Sequence, residues 1–222
     1  IVARTLADKR YTFAQNQAVP KRIDSKLWLY DCISCDKCVP VCPNDANFYY
    51  ELEPETIEYT NYSWTADGLK EADRGVLKIE QKHQIANFAD WCNECGNCDT
   101  FCPEYGGPFI QKPSFFANRE AWLDNPARDG FYITQHNGHR EIVGRMGGQT
   151  YSLAVDDTTG TYNDGVLEVK FDTTTHEILG VKPLKESAVG HTLDLKQYHT
   201  LRTLLTGLLN PSRIHQVNVP YA

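Results

Sequence analysis

Much that defines common protein classes is missing from this chain of 222 residues. No apolar run approaches the roughly 18 residues of a membrane-spanning helix, and the mean hydropathy is −0.48, so no membrane span is expected. No G-x-G-x-x-G follows a strand-like run and there is no P-loop, which removes the usual cradles for dinucleotides and nucleoside triphosphates. No nucleophile stands beside an evident base, so this chain alone is expected to convert no organic substrate. None of the eight cysteines is left over. All fall into two short blocks, too tight and regular for the scattered disulfides of a secreted protein. A reducing, cytoplasmic setting is therefore expected. An initiator methionine is also missing, and Ile1-Val2-Ala3-Arg4 does not open a signal peptide. The chain is expected to be a fragment, a processed product or one segment of something longer.

The charge that is present is unevenly spread. Residues 1–31 carry a net +3, residues 32–112 a net −8 and residues 113–222 a net −2. An acidic centre argues against nucleic acid as a partner. Solvation accounts for most such surfaces, and a basic docking site on another protein would also fit.

The two blocks are Cys32-Ile33-Ser34-Cys35-Asp36-Lys37-Cys38-Val39-Pro40-Val41-Cys42-Pro43 and Cys92-Asn93-Glu94-Cys95-Gly96-Asn97-Cys98-Asp99-Thr100-Phe101-Cys102-Pro103. Both spell C-x₂-C-x₂-C-x₃-C-P. Three cysteines two residues apart can curl round three corners of a cubane, whereas the fourth lies too far along to close the same loop and reaches a second cluster. The pattern predicts two [4Fe–4S] clusters. Cluster one would sit on Cys32, Cys35, Cys38 and Cys102, and cluster two on Cys92, Cys95, Cys98 and Cys42. Structural zinc seldom uses a third cysteine two residues on, and with no histidine in either block a Rieske centre is excluded. Pro43 and Pro103 are expected to start short helices, and Gly96 to let the backbone approach a cluster. Ile33, Val39, Val41, Trp91 and Phe101 flank the ligands and either shed water from the clusters or simply pack.

Around these blocks the fold class reads as α+β: a two-[4Fe–4S] ferredoxin-like domain over residues 32–116 with an appended antiparallel β-meander and a C-terminal helix. Residues 1–31 read as a linker or docking arm, with Val2, Leu6 and Phe13 loosely on one helical face, Pro20 ending it, and Leu27-Trp28-Leu29-Tyr30 leading into the first block. The 49-residue spacer between the blocks holds strand-like runs at Phe48–Leu52, Thr56–Trp64 and Val76–Ile79, with turn signals at Gly68 and Gly75. Residues 129–184 read as a meander, with a hairpin turn at Asn137-Gly138 and further turns at Gly147-Gly148, Thr159-Gly160 and Asp164-Gly165. Residues 194–209 read as an amphipathic helix capped by Asp194, with Gln197 at the return position of a capping box, a stripe of Leu195, Tyr198, Leu201, Leu205 and Leu208, and a stop at Asn210-Pro211. The glycines from Gly144 to Gly148 belong to a turn. His136 and His139 fit cross-strand neighbours better than a metal pair, and Asp156, Asp157 and Asp164 lack calcium-loop spacing.

The run Trp91 to Pro103, followed by Gly106-Gly107-Pro108, Lys112 and Phe115-Phe116, resembles the C-terminal part of the selenate reductase-type iron–sulfur flavoproteins, relatives of the glutamate synthase small chain and dihydropyrimidine dehydrogenase. The likeness covers residues 20–185 and includes a β-rich tail that fits Asp129-Gly130-Phe131 onward. It implies FAD and NAD(P)H in the rest of a parent protein, and partners that are other, flavin-containing domains or subunits of a redox enzyme. The expected function is electron transfer through two clusters as a module of such an oxidoreductase. A free-standing ferredoxin-like subunit, and structural or redox-sensing clusters, are the alternatives.

Overall fold

The computed structural model describes residues 2–9, 12, 14, 29–104 and 106–219. Most of the arm expected over residues 1–31, including Phe13, Pro20, Leu27 and Trp28, lies outside them. Its first part is a short helix, α1 (Val2–Ala7), which buries no residue. The chain then runs through β1 (Asn47–Glu51), β2 (Glu55–Thr65), β3 (Gly68–Ile79) and β4 (His83–Phe88), so the spacer between the cysteine blocks is one long hairpin nested inside another. After the second block come α2 (Asn97–Phe101), α3 (Pro108–Gln111), the short β5 (Ser114–Phe115) and α4 (Arg119–Asp124). The meander follows as β6 (Gly130–His136), β7 (His139–Met146), β8 (Gln149–Asp156), β9 (Thr159–Asn163), β10 (Leu167–Asp172) and β11 (Ile178–Pro183), and the chain closes with β12 (Thr192–Leu193) and α5 (Leu195–Leu208). Among the described residues only α5 exceeds two turns. The expected α+β class therefore reduces to a sheet-rich fold with few helices.

One sheet runs unbroken in the order β1-β4-β5-β6-β7-β8-β9-β10-β11, and a smaller one in the order β12-β2-β3. The pairs β4–β5 and β5–β6 are parallel, and the rest of the large sheet is antiparallel. Two-residue β5 is thus the splice between the cysteine-bearing half and the meander. Phe115 fills it, fully buried and tilted against Phe131 at 5.5 Å.

The pair β1–β4 is covered on both faces although β1 is the edge strand of the large sheet. Phe48, Tyr50, Ala86 and Phe88 enter the main apolar core, while Ile85 and Tyr49 pack on the cysteines. A single strand pair therefore separates the core from the candidate site. Helix α5 touches β1, β7 and β8 of the large sheet and β2 and β3 of the small one. Its five stripe residues are all buried, but so are His199, Thr200, Thr203, Leu204 and Gly207. The helix is enclosed well beyond one stripe, because a sheet covers it on either side. Asp194 caps it through Lys196 N–H at 2.9 Å, while Gln197 reaches back to the Asp194 side chain rather than to its backbone.

Three turn expectations change. Gly144 lies inside β7, where a Cβ would stand 2.3 Å from the Phe131 ring, and only Gly147-Gly148 turn. Gly75 lies inside β3, opposite Tyr59 of β2; a Cβ there would stand 2.3 Å from the tyrosine ring, so close approach and not a turn requires glycine. Thr159-Gly160 opens β9, and the turn falls two residues earlier, at Asp157-Thr158.

Candidate metal centres

The two cysteine blocks share one backbone path. Ser34 and Glu94, each just before the second cysteine, both have φ 55°, and Asp36 and Gly96, each just after it, have φ 56° and 79°. Left-handed geometry costs a non-glycine residue about 1–2 kcal/mol, so three such residues at matched positions mark a conformation imposed by the site. Alternating hands curl a loop so that its amides gather on the concave side. Among the described residues, amides point at sulfur from Ser34 to Cys32 at 3.4 Å, from Ala46 to Cys42 at 3.2 Å and from Glu104 to Cys102 at 3.4 Å, and the Phe109 and Asp99 backbones bond Cys98. Gly96 is needed for its φ, since nothing lies within 4 Å of a Cβ built there.

Neither Pro43 nor Pro103 starts a helix. The chain after Cys42 makes one turn and enters β1, and the chain after Cys102 runs to Gly107 at φ 74° before α3 begins at Pro108. Pro108 is the proline at a first helical position.

Cys32, Cys35, Cys38 and Cys102 line one cavity with Ile33, Asp36, Ile85, Glu104, Pro108 and Lys112. Cys32, Cys38 and Cys102 are buried, and Cys35 is exposed. Burial raises the Cys38 thiol to about 12, helped by the neighbouring thiols of Cys32, Cys35, Cys98 and Cys102. Burial likewise raises Cys32, opposed chiefly by the Lys112 ammonium. Thiolates gathered in so dry a space repel one another, and only a cationic body among them would hold all four ionised. An iron–sulfur core fits that donor set. No three His, Cys, Asp or Glu side chains among the described residues gather to hold a single ion.

The other four cysteines meet differently. Asn44 donates to the Trp91 carbonyl at 2.9 Å, and Asn97 donates to the Val41 carbonyl at 3.4 Å. Residues on either side of Cys42 are thereby tied to residues on either side of Cys92 and Cys95. Burial raises the Cys98 thiol, and hydrogen bonds from the Phe109 backbone and the Asn47 side chain lower it. Of this set only Cys98 is buried; Cys42 and Cys92 are partly covered and Cys95 is exposed.

A polar network unseen in the sequence links the two blocks. Asn47 and Asn87 are register partners in β1 and β4. Asn47 donates to the Cys38 carbonyl at 3.0 Å and accepts from Asn87 at 3.0 Å; Arg128 then donates to Asn87 at 3.0 Å and to Glu94 at 3.3 Å. No sequence signal sets these two asparagines apart, since the same strands also carry Glu51, His83 and Gln84. Of the flanking apolar residues, Ile33, Trp91 and Phe101 are about half exposed, whereas Val39 packs beside Ile85. Elsewhere, His136 and His139 do oppose each other in register, yet they bond Asn137 and Asp156. Asp164 caps its own loop through Val166 and Leu167 N–H and faces His191.

Residues 28–105 match the 4Fe–4S dicluster domain family. Over 130 residues the chain is 28% identical to YgfK of Escherichia coli, named as an oxidoreductase, covering 59% of this chain and 10% of that protein. It is also 30% identical over 126 residues to a pyruvate-flavodoxin oxidoreductase of Trichormus variabilis, covering 50% of this chain and 10% of the relative. A third likeness, 34% over 83 residues, is to the polyferredoxin protein MvhB of Methanothermobacter marburgensis, covering 33% of this chain and 19% of the relative. The chain thus spans about a tenth of the length of the oxidoreductases it matches. No solved structure matches it. No helix among the described residues is long and apolar enough to cross a membrane.

Proposed function

We propose that this chain is a one-electron-transfer module holding two [4Fe–4S] clusters in crossed ligation, within a larger NAD(P)H- and flavin-linked oxidoreductase. Cys32, Cys35, Cys38 and Cys102 would hold one cluster, and Cys92, Cys95, Cys98 and Cys42 the other. Bound clusters supply reversible one-electron chemistry. The observation that carries the reading is Cys102, from the second block, lining the same cavity as the first three cysteines of the first. The hydrogen bonds that straddle Cys42 support the reciprocal half. The chain's own contribution is to aim amides at Cys32, Cys42 and Cys102, which would draw charge from their sulfurs and raise the potential, and to bury three of the first four ligands, which acts the other way. The flavin link rests on the resemblance of residues 91–116 to iron–sulfur flavoproteins. It agrees with the coverage, since a chain matching a tenth of an oxidoreductase leaves room for flavin domains elsewhere.

Anaerobic purification followed by iron and sulfide analysis and a redox titration read by EPR tests this. Two interacting low-potential [4Fe–4S] centres are expected. Zinc in place of iron, or clusters that never reduce in an accessible range, would defeat it. Joining the chain to the flavin-containing remainder of its parent should allow NAD(P)H to reduce the centres.

A further inference from the structure

We propose that Lys112 sets the charge felt by the cluster at Cys32, Cys35, Cys38 and Cys102, raising the reduction potential of that centre alone; this rests on the cluster reading above. Lysine is almost never fully enclosed unless it is paired, yet the Lys112 side chain is 1% exposed. It lines the cysteine cavity and also the larger cleft bounded by Leu29, Gln111, Phe131 and Arg145. Lys112 therefore belongs to the wall of both. The Nζ donates to Asp31 Oδ1 at 3.1 Å and to the Leu29 carbonyl at 3.4 Å, and the Lys112 N–H closes the last turn of α3 on the Pro108 carbonyl at 3.0 Å. Among the described residues, two segments hold the charge: the turn that leads into Cys32 and the end of α3.

Burial decides the magnitude. The Asp31 side chain is 40% exposed, so water screens the carboxylate, while the ammonium acts through a low-dielectric wall where a unit charge is felt several times more strongly. The pair is not neutral from the cavity's side. Reduction adds a negative charge to an already anionic thiolate cluster, and a buried cation beside it favours the reduced state. Among the described residues, no lysine or arginine lines the cavity besides Lys112. Acidic residues stand near both sets, Asp36 and Glu104 on the cavity and Glu94 and Asp99 in the second loop, where Arg128 holds Glu94 at 3.3 Å; what distinguishes the first set is the enclosed ammonium.

The test is an EPR-monitored redox titration of the whole chain as wild type, K112M, K112R and D31N, each with iron and sulfide measured first. K112M should lower the potential of one centre and leave the other unchanged, K112R should keep the wild-type potential, and D31N should raise the potential of the same centre. D31N alters a half-exposed residue and keeps the question answerable if K112M fails to fold. A purely structural role predicts loss of iron in K112M and K112R alike with no potential shift in D31N, and that result overturns the assignment. Unchanged potentials in K112M and D31N, with both centres loaded, overturn it and leave the cluster reading intact. A wild-type chain that takes up no iron overturns both.

Discussion

At single residues the site is held by conformations and partners that can be removed one at a time. Gly96 has open space around it, so only its φ of 79° is at stake. Gly96→Ala should cost about 1–2 kcal/mol, and Gly96→Asn less, because asparagine tolerates the left-handed region; urea midpoints measure both, and equal stability for Ala and Gly would contradict the geometry. Asn47 is buried at the hub of the link between the blocks. Asn47→Ala strands the Cys38 carbonyl and the Asn87 amide and should cost about 1–3 kcal/mol, read by the same denaturation. The eight proposed ligands were legible as candidates because cluster-binding cysteines follow one another at fixed local spacings. Lys112, Asn47 and Arg128 were not, since each acts on residues tens of positions away and no local pattern marks a lysine or an asparagine as enclosed.

At the scale of elements, alternation and turn residues disclosed most strands, and the structure adds what covers them. Strand β9 is hidden in the sequence because Thr159-Gly160 reads as a turn, and Gly75 reads as punctuation although it serves a cross-strand tyrosine. The same kind of close packing decides a mutation in α5. Replacing a helical glycine by alanine ordinarily gains up to about 1 kcal/mol in helix propensity, less in the last turn where Gly207 sits. A Cβ on Gly207, however, would stand 2.4 Å from Leu52 Cδ2 and 3.2 Å from the Glu51 carbonyl of β1. Overpacking costs typically 1–3 kcal/mol, so Gly207→Ala should lower the melting temperature; a rise would mean that α5 does not lie on β1. Helix α5 also carries an acid liability. Burial depresses His199 to about 3, with Arg202 and His176 adding to it, and its Nδ1 has no partner. The unfolded chain binds this proton from about pH 6.5 downward while the folded chain refuses it until near pH 3. Stability should therefore be unaffected above about pH 6.5 and fall as pH drops below it. His199→Leu should flatten that fall in pH-dependent denaturation, and identical acid sensitivity in both proteins would contradict it.

For the whole molecule, the cysteine half and the meander share one sheet and one apolar core, in which Phe48, Tyr50 and Phe88 meet Leu201, Leu204 and Phe171. A fragment ending at residue 116 would lose α5 and the strands beyond β5. It should fail to unfold cooperatively in denaturant even when supplied with iron, and a sharp transition would show that the first half stands alone. That continuity was hidden in the sequence, because β5 is two residues long and its pairing with β4 and β6 depends on segments remote from it. The central claim is the crossed ligation, and it is tested most directly by comparing the EPR spectra of reduced C42S, C95S and C35S. Crossed ligation predicts that C42S reproduces the defect of C95S and leaves the centre damaged in C35S unharmed. A C42S spectrum that matches C35S would contradict it.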